Sequence, residues 1–417
     1  MDFAIKNIVI ATVIFGTILV IIFENRNPVK TIAWCMVLTF MPVIGLLLYI
    51  LFGMDNRHRR QIKDEDLSRL KGITEITQSD DILSEMPVPQ KPLADMLRKM
   101  NKSFLLSGND VEIITDFQTM SDRLIADIEG ARHHINMLFF KFEDDAAGRR
   151  IADALIRKSE EGVLVRLIYD DAGNLMVPRR FYRKLRKHGI QVRGFIRIFL
   201  PILSRDYNSR NHRKVVVIDG RVGYMGGMNI AQRYAEGLKW GIWRDTHMRI
   251  TGPAVSELQT SFLTDWKFTK GDEPDLAPMY PYNPPCGNTL MQIVTGGPMD
   301  KWNVMMQAYM TAIASARHHA YLQSPYFIPP EPIMKTLQNA ALSGVDVRVM
   351  IPYRGDKGVL PPWASRSYFK EALNAGIRIY LYRKGYMHAK TMTIDDSLVT
   401  IGSTNIDFRG FEQDFEI

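Results

Sequence analysis

His212-Arg213-Lys214-Val215-Val216-Val217-Ile218-Asp219 and His388-Ala389-Lys390-Thr391-Met392-Thr393-Ile394-Asp395 are one pattern written twice. Each is followed by small residues and an amide, Gly226-Gly227-Met228-Asn229 in the first copy and Gly402-Ser403-Thr404-Asn405 in the second. Both asparagines fall 17 positions after their histidine. A lone H-x-K-x4-D match is expected about once in 10⁴ positions from composition, so one copy carries little weight. Two copies, each with an amide at the same offset, mark a duplicated functional element.

The pattern has a geometry. Histidine and lysine at i and i+2 of a strand share one face, roughly 6–7 Å apart. Asp219-Gly220 is a hairpin turn signal, and Asp395-Asp396 stands in its place in the second copy. A two-residue turn at the first would pair Val217 with Val222, Lys214 with Met225 and His212 with Gly227. The same turn in the second copy sets His388 opposite Ser403. Small residues there let a ligand approach the backbone. Seven extended residues span roughly 23 Å. Asp219 and Asp395 are therefore out of reach of their own histidines and are expected to be turn or structural residues.

Working outward, the flanking sequence repeats too. Val111-Glu-Ile-Ile-Thr115 resembles Met291-Gln-Ile-Val-Thr295, Ala131-Arg-His-His134 recurs as Ala316-Arg-His-His319, and Gly162-Val-Leu-Val-Arg166 as Gly344-Val-Asp-Val-Arg348. A period of about 180 residues suits a duplicated domain and is too long for a solenoid. Each copy reads as helix (120–132; 303–317), strand (135–142; 320–327), helix (149–160; 333–343), strand (163–169; 345–351), helix (179–187; 366–374) and strand (190–196; 377–382). Strands alternating with helices predict an α/β fold with a mostly parallel, helix-covered sheet. Residues 109–271 and 288–417 are the two domains, and the Pro-rich 272–287 joins them.

The first 53 residues are of another kind. No residue from Ile8 to Phe23 is charged, nor any from Thr31 to Phe52. A two-helix transmembrane hairpin is expected, with Glu24–Lys30 as its joint. The alternative, a signal sequence followed by a stop-transfer segment, leaves the second run in the membrane as well. Arg57, Arg59, Arg60 and Lys63 follow the second run. The positive-inside rule places the body of the chain in the cytoplasm. Residues 54–108 read as a charged linker with one helix, 91–104. The chain carries a net charge of +8, which fits an anionic partner, nucleic acid or acidic membrane. Its two cysteines, Cys35 and Cys286, form no disulfide framework and fit a reducing compartment. The pairs His133-His134 and His318-His319 are expected at helix C-termini, where a cationic ring is favoured. Neighbouring side chains diverge there, so neither pair suits a metal. Arg179–Lys187 reads as a solvated basic helix, and Phe195–Leu203 as either a buried strand and turn or a membrane dip.

The paired motifs resemble the phospholipase D superfamily over essentially all of 109–417. Thr31-Ile-Ala-Trp-Cys-Met-Val-Leu-Thr-Phe-Met-Pro42, Gly45-Leu-Leu-Leu-Tyr-Ile-Leu-Phe-Gly53, Asn208-Ser-Arg-Asn-His-Arg-Lys214 and Ser324-Pro-Tyr-Phe-Ile-Pro329 are similar to bacterial cardiolipin synthases. The resemblance implies two α-β-α sandwich domains about a pseudo-twofold axis, both motifs facing one phosphate. It implies that one histidine attacks phosphorus and the other protonates the leaving alkoxide. By similarity, His212 is the nucleophile and His388 the acid. An acidic residue downstream orients each histidine. Glu416 stands at that place after His388, and Asp245 in Trp243-Arg-Asp-Thr-His247 is the choice for the first repeat. The chain stops at Ile417, inside a predicted strand, where similar synthases run on, so the second sheet is expected to be cut short.

A phosphodiester needs its charge neutralised as it reacts. With no metal-ligand spacing evident and no cofactor called for, Lys214 and Lys390 would supply this, helped by Asn229 and Asn405. For a cardiolipin synthase, phosphatidylglycerol is both donor and acceptor, anionic membrane lipids are the partners, nucleic acid is not, and the bacterial inner membrane is the location. A nuclease or another lipid hydrolase of the same superfamily shares the motifs, but the apolar N-terminus disfavours the nuclease. A non-catalytic membrane scaffold is disfavoured by two intact motifs.

Overall fold

The computed structural model describes residues 2–23, 28–53, 90–196, 209–356, 358 and 360–417. Part of the expected hairpin joint (24–27), most of the linker (54–89) and the stretch 197–203 lie outside these residues. The described residues form an N-terminal helical unit and a larger body.

In the N-terminal unit, helices span Asp2–Phe23 and Pro28–Phe40, then Pro42–Leu48 and a π-turn at Tyr49–Gly53. Ile21, Leu38 and Tyr49 are buried together, and Trp34 meets Tyr49 edge-on at 5.5 Å. The second apolar run is not one helix. Met41 leaves helical geometry before Pro42, as a residue preceding proline is disfavoured from the α region. The pieces are 13 and 7 residues long. Among the described residues, no helix is long and apolar enough to cross a membrane.

The body begins with a helix at Lys91–Asn101, whose Leu93 and Leu97 pack into the core of the second repeat. The end of the presumed linker is thus part of the globular structure. The first repeat holds β1 (Leu105–Ile114), β2 (His134–Phe139), β3 (Leu164–Asp170), β4 (Gln191–Phe195), β5 (Arg210–Asn211), β6 (Lys214–Ile218), β7 (Val222–Gly226), β8 (Ile242–Arg244) and β9 (His247–Thr251). Helices Phe117–Gly130, Ala146–Glu160, Arg179–Lys187 and Val255–Phe268 pack around them. Asp116 and Asp145 cap the first two, accepting from the backbone N–H of Thr119 and Gly148. The second repeat holds β10 (Thr289–Gln292), β11 (His319–Gln323), β12 (Phe327–Ile328), β13 (Asp346–Pro352), β14 (Arg378–Tyr382), β15 (Gly385–Met387), β16 (Thr391–Ile394), β17 (Leu398–Ile401), β18 (Ile406–Asp407) and β19 (Asp414–Phe415).

The large sheet runs β10-β1-β9-β7-β6-β2-β3-β4 and the smaller one β14-β13-β11-β16-β17. Every side chain of β2 and β6 is buried, which fits the mainly apolar residues between the polar His134, Asn136 and Lys214. The expected mostly parallel sheet holds only for β2-β3-β4 and for β11-β13-β14. The motif hairpins β6-β7 and β16-β17 join antiparallel to those cores, as do β9, β1 and β10. The alternation of helices with strands foretold the crossover part, while the hairpins add their strands in the opposite sense.

The motif hairpins have longer loops than expected. Ile218 pairs with Val222 and Ile394 with Leu398, so three residues form each loop. The register slips by one: Val215, not Lys214, faces Met225. The expected pairings of His212 with Gly227 and His388 with Ser403 fail as well, since both histidines precede the paired strand. The leading loop residues, Asp219 and Gly220 in one and Asp395 and Asp396 in the other, have positive φ. Asp219 accepts from the backbone N–H of Arg132, His133 and His134, and Asp395 from Arg317, His318 and His319. These two aspartates are turn residues that also fasten the start of the next core strand.

One other expectation changes, and one open alternative is supported in part. His134 opens a strand, and burial pushes its imidazole down to about 4, so it is neutral rather than cationic. Phe195 is buried and stacked on Phe268, the buried alternative for that stretch as far as the described residues reach.

Candidate active site

Short parallel pairings join the repeats. β5, leading into His212, pairs with β19, leading into Glu416. β15, leading into His388, pairs with β8, leading into Asp245. The backbone N–H of His212 donates to Phe415 and that of His388 to Arg244. Each histidine is thereby set beside the carboxylate of the opposite repeat. His212 Nδ1 lies 2.9 Å from Glu416 Oε1, and His388 Nδ1 lies 2.6 Å from Asp245 Oδ2. The expected pairing of each histidine with the acid downstream in its own repeat is therefore exchanged across the two. The strands place carboxylate and histidine of one repeat on separate segments, and only the contact between repeats closes each pair.

Glycine and serine make room for the acids. A Cβ on Gly227 would lie 2.1 Å from Asp245 Oδ1. Ser403, at the matching position, donates instead to Glu416 Oε2. The Lys214 and Lys390 ammonium groups are buried, each donating to the carbonyl of its own motif histidine. Lys390 Nζ is also 2.8 Å from His388 Nδ1. Burial pulls Lys214 down to about 7 and Lys390 to about 8, against the opposing pull of Glu416 and Asp245. Burial lifts Glu416 to about 7, although Lys214 favours its charge. Burial and the Lys390 charge push His388 down to about 3, while Asp245 pulls the other way. Burial raises Asp245, but Lys390 and His388 outweigh it and hold the carboxyl below its ordinary value. The charges of both motifs thus act on one another in one enclosed site.

The asparagines are not equivalent. Asn229 accepts from the backbone N–H of Lys141 and donates to Tyr234 Oη, which is 3.4 Å from His388 Nδ1. Asn405 Oδ1 is buried and has no hydrogen-bond partner among the described residues.

Several residues at the site escaped the sequence reading. Phe140 meets the His212 ring edge-on at 5.0 Å, and Trp243 and Tyr386 lie 5.5 and 5.8 Å from the His388 ring. Arg213, the middle residue of the first motif, is a buried clamp. It pairs with Asp265 at 2.7 Å and donates to the carbonyls of Glu416 and Gly296. The second motif has Ala389 there. That difference between the two copies was the one available signal for Arg213.

The sequence profile of the family described as "Cardiolipin synthase, PLD-like domain" matches residues 124–266 and 309–417, one stretch in each repeat. The chain belongs to this family. Residues 12–53 match the family described as "Phospholipase_D-nuclease N-terminal". Among cardiolipin synthase relatives, one from Geobacillus kaustophilus (strain HTA426) is 38% identical over 96% of this chain and 80% of its own length. The major cardiolipin synthase ClsA of Bacillus subtilis (strain 168) is 37% identical over 100% of this chain and 87% of its own. The crystal structure of phosphatidylserine synthase from Haemophilus influenzae Rd KW20 superposes with a TM-score of 0.58 at 14% identity, covering 78% of this chain and 85% of that one. That likeness shows that this chain shares its α/β fold with the phosphatidylserine synthase.

Proposed function

We propose that this chain is a cardiolipin synthase, moving a phosphatidyl group from one phosphatidylglycerol to another and releasing glycerol. The observation that carries this is the reciprocal pair of histidine–carboxylate contacts around two buried lysines. A ring whose Nδ1 is tied to a carboxylate presents Nε2 to substrate. His212 Nε2 attacks phosphorus, the bond to glycerol breaks, and His388 gives the departing oxygen its proton. His388 then takes the proton from a hydroxyl of the second phosphatidylglycerol, whose oxygen displaces His212 and forms cardiolipin. Lys214 and Lys390 neutralise the phosphoryl oxygens, and Asn229 and Asn405 complete the polar lining. Asp245 and Glu416 orient the rings, while Asp219 and Asp395 hold the hairpins. Burial and the Lys390 charge favour the neutral form of His388. A phosphodiester anion between the lysines offsets their charge, and Asp245 then favours the imidazolium that the acid role needs.

The domain division is that of two catalytic repeats, 109–271 and 288–417, as α-β-α sandwiches about a pseudo-twofold axis. Residues 1–53 anchor the chain as a hairpin in the bacterial inner membrane, with the catalytic repeats in the cytoplasm. Large apolar side chains on the N-terminal helices, Phe15, Val20 and Phe23 on the first, Ile32 and Phe40 on the second and Ile44 on the third, are exposed and support this. Substrate in the same membrane suits the chemistry, since withdrawing acyl chains from a bilayer costs about 0.8 kcal/mol per methylene. The test is to incubate purified protein with labelled phosphatidylglycerol vesicles. Cardiolipin and glycerol in equal amounts are expected. Phosphatidic acid as the sole lipid product, or cleavage of DNA with lipid untouched, would overturn the reading.

A further inference from the structure

The two site histidines are only 8% and 9% exposed, yet three segments beside them present large apolar side chains to solvent. The first follows β3. Met176, 95% exposed, and Leu175 stand there, followed by the exposed Arg179 and Arg180. Asn174 binds the segment to the site by donating to the carbonyl of Phe140, whose ring packs on His212. The second is Lys239–Ile242, with exposed Lys239, Trp240 and Ile242 directly before Trp243, which packs on His388. The third follows β13, the counterpart of β3. Leu360 and Trp363 are 74% and 60% exposed, between the exposed Arg354 and Arg366. This segment is fastened by Ser365 Oγ accepting from the backbone N–H of Phe327, and by the Tyr353 N–H donating to Tyr382.

Large apolar groups, two of them tryptophans, interleaved with exposed cations form the pattern of a surface that seats in an anionic lipid interface. A protein partner would leave unexplained why the pattern recurs at equivalent places of both repeats, one tied to Phe140 beside His212 and the other carrying Asp356, whose charge acts on Lys390 beside His388. We propose that the three segments form a rim around the site that dips into the face of an anionic bilayer. The site behind the rim then takes the lipid phosphate while the acyl chains stay in the hydrocarbon. This rests on the proposed lipid function and adds the route by which substrate enters.

Two measurements on the full chain in phosphatidylglycerol vesicles test it. With Cys35 and Cys286 replaced by serine, a bimane label is placed through Met176→Cys, Leu360→Cys or Leu342→Cys. Leu342 is exposed at the end of helix Glu331–Leu342, on the side where β13 begins rather than where it ends. Lipid-borne nitroxide is expected to quench the labels at 176 and 360 but not at 342. Equal quenching at all three positions, or none at 176 and 360, overturns the proposal. In the second, Leu360→Asp with Trp363→Asp is expected to lower turnover of long-chain vesicular phosphatidylglycerol by about tenfold or more. Turnover of a monomeric short-chain phosphatidylglycerol should stay at wild-type level. Equal losses on both substrates, or none on vesicles, overturn the rim. A wild-type protein inactive on both would instead sink the proposed function, and the quenching experiment would still decide the rim.

Discussion

His212 Nδ1 lies 2.9 Å from Oε1 of Glu416, a residue 204 positions later and in the other repeat. The reverse contact, His388 to Asp245, crosses the same boundary. Neither repeat can therefore assemble a histidine–carboxylate pair alone, and any movement that parts the repeats breaks both pairs together.

The carboxylates should act on the chemical step. Glu416→Gln and Asp245→Asn keep the size of the side chain but remove its charge. Each is expected to lower kcat by about 10²–10⁴-fold with little change in KM, as when oriented acid–base help is lost. Initial rates of glycerol release check this. A change in KM alone would assign the acids to binding.

The covalent step separates the histidines. His388→Ala should still accumulate a phosphatidyl adduct on His212, slowly, while His212→Ala should form none. Acid-quenched mass spectrometry after exposure to phosphatidylglycerol reads both. An adduct on His388 in the His212→Ala protein, with none in the reverse case, would exchange the two roles.

The lysines set an alkaline limit. Their ordinary value is 10.5, and the folded protein lowers Lys214 to about 7 and Lys390 to about 8. The folded state therefore binds fewer protons than the unfolded chain between those values and 10.5, so these lysines favour folding as pH rises through that window. Glu416, raised from 4.5 to about 7, has the opposite sign, its contribution being present below 4.5 and lost as pH rises through 7. Activity runs against the lysine trend, because loss of the ammonium charge removes phosphate binding. The kcat/KM profile, which reports the free enzyme, should fall across pH 7–8. A profile flat to pH 10 would show that the lysines stay charged.

Arg213 and Asp265 are both buried and meet at 2.7 Å. Arg213→Ala leaves a buried carboxylate without its partner and should destabilise the protein by about 3–5 kcal/mol. Arg213→Met with Asp265→Leu should be less damaging than Arg213→Ala alone. Denaturant unfolding of solubilised protein measures both. Equal losses in the two would mean that packing, not charge, dominates there.

Asp219 and Asp395 stand apart from the chemistry. Asp219→Ala or Asp395→Ala removes an acceptor from three backbone N–H groups and should lower stability by about 1–3 kcal/mol. Turnover per folded molecule should be retained, which unfolding curves combined with active-site titration would establish.

The sequence by itself determined the duplication, the helix–strand alternation, the six motif residues and the structural character of the two aspartates. These are local properties: periodicity, turn chemistry and the reach of an extended strand all act within a few residues. The resemblance to a known family named Asp245 and Glu416 as the candidate acids, although Asp245 does not share the spacing of Glu416 from its motif. Only the tertiary structure decided which acid serves which histidine, because that follows from β5 meeting β19 and β8 meeting β15, contacts between segments far apart in the chain. The hairpin register was lost for a smaller reason, since an Asp-Gly or Asp-Asp pair with positive φ suits a two-residue turn as well as these three-residue loops, and the sequence does not choose between them. Arg213 went unread because an arginine beside a histidine looks like any exposed cation, until folding buries it against Asp265 and the carbonyl of Glu416.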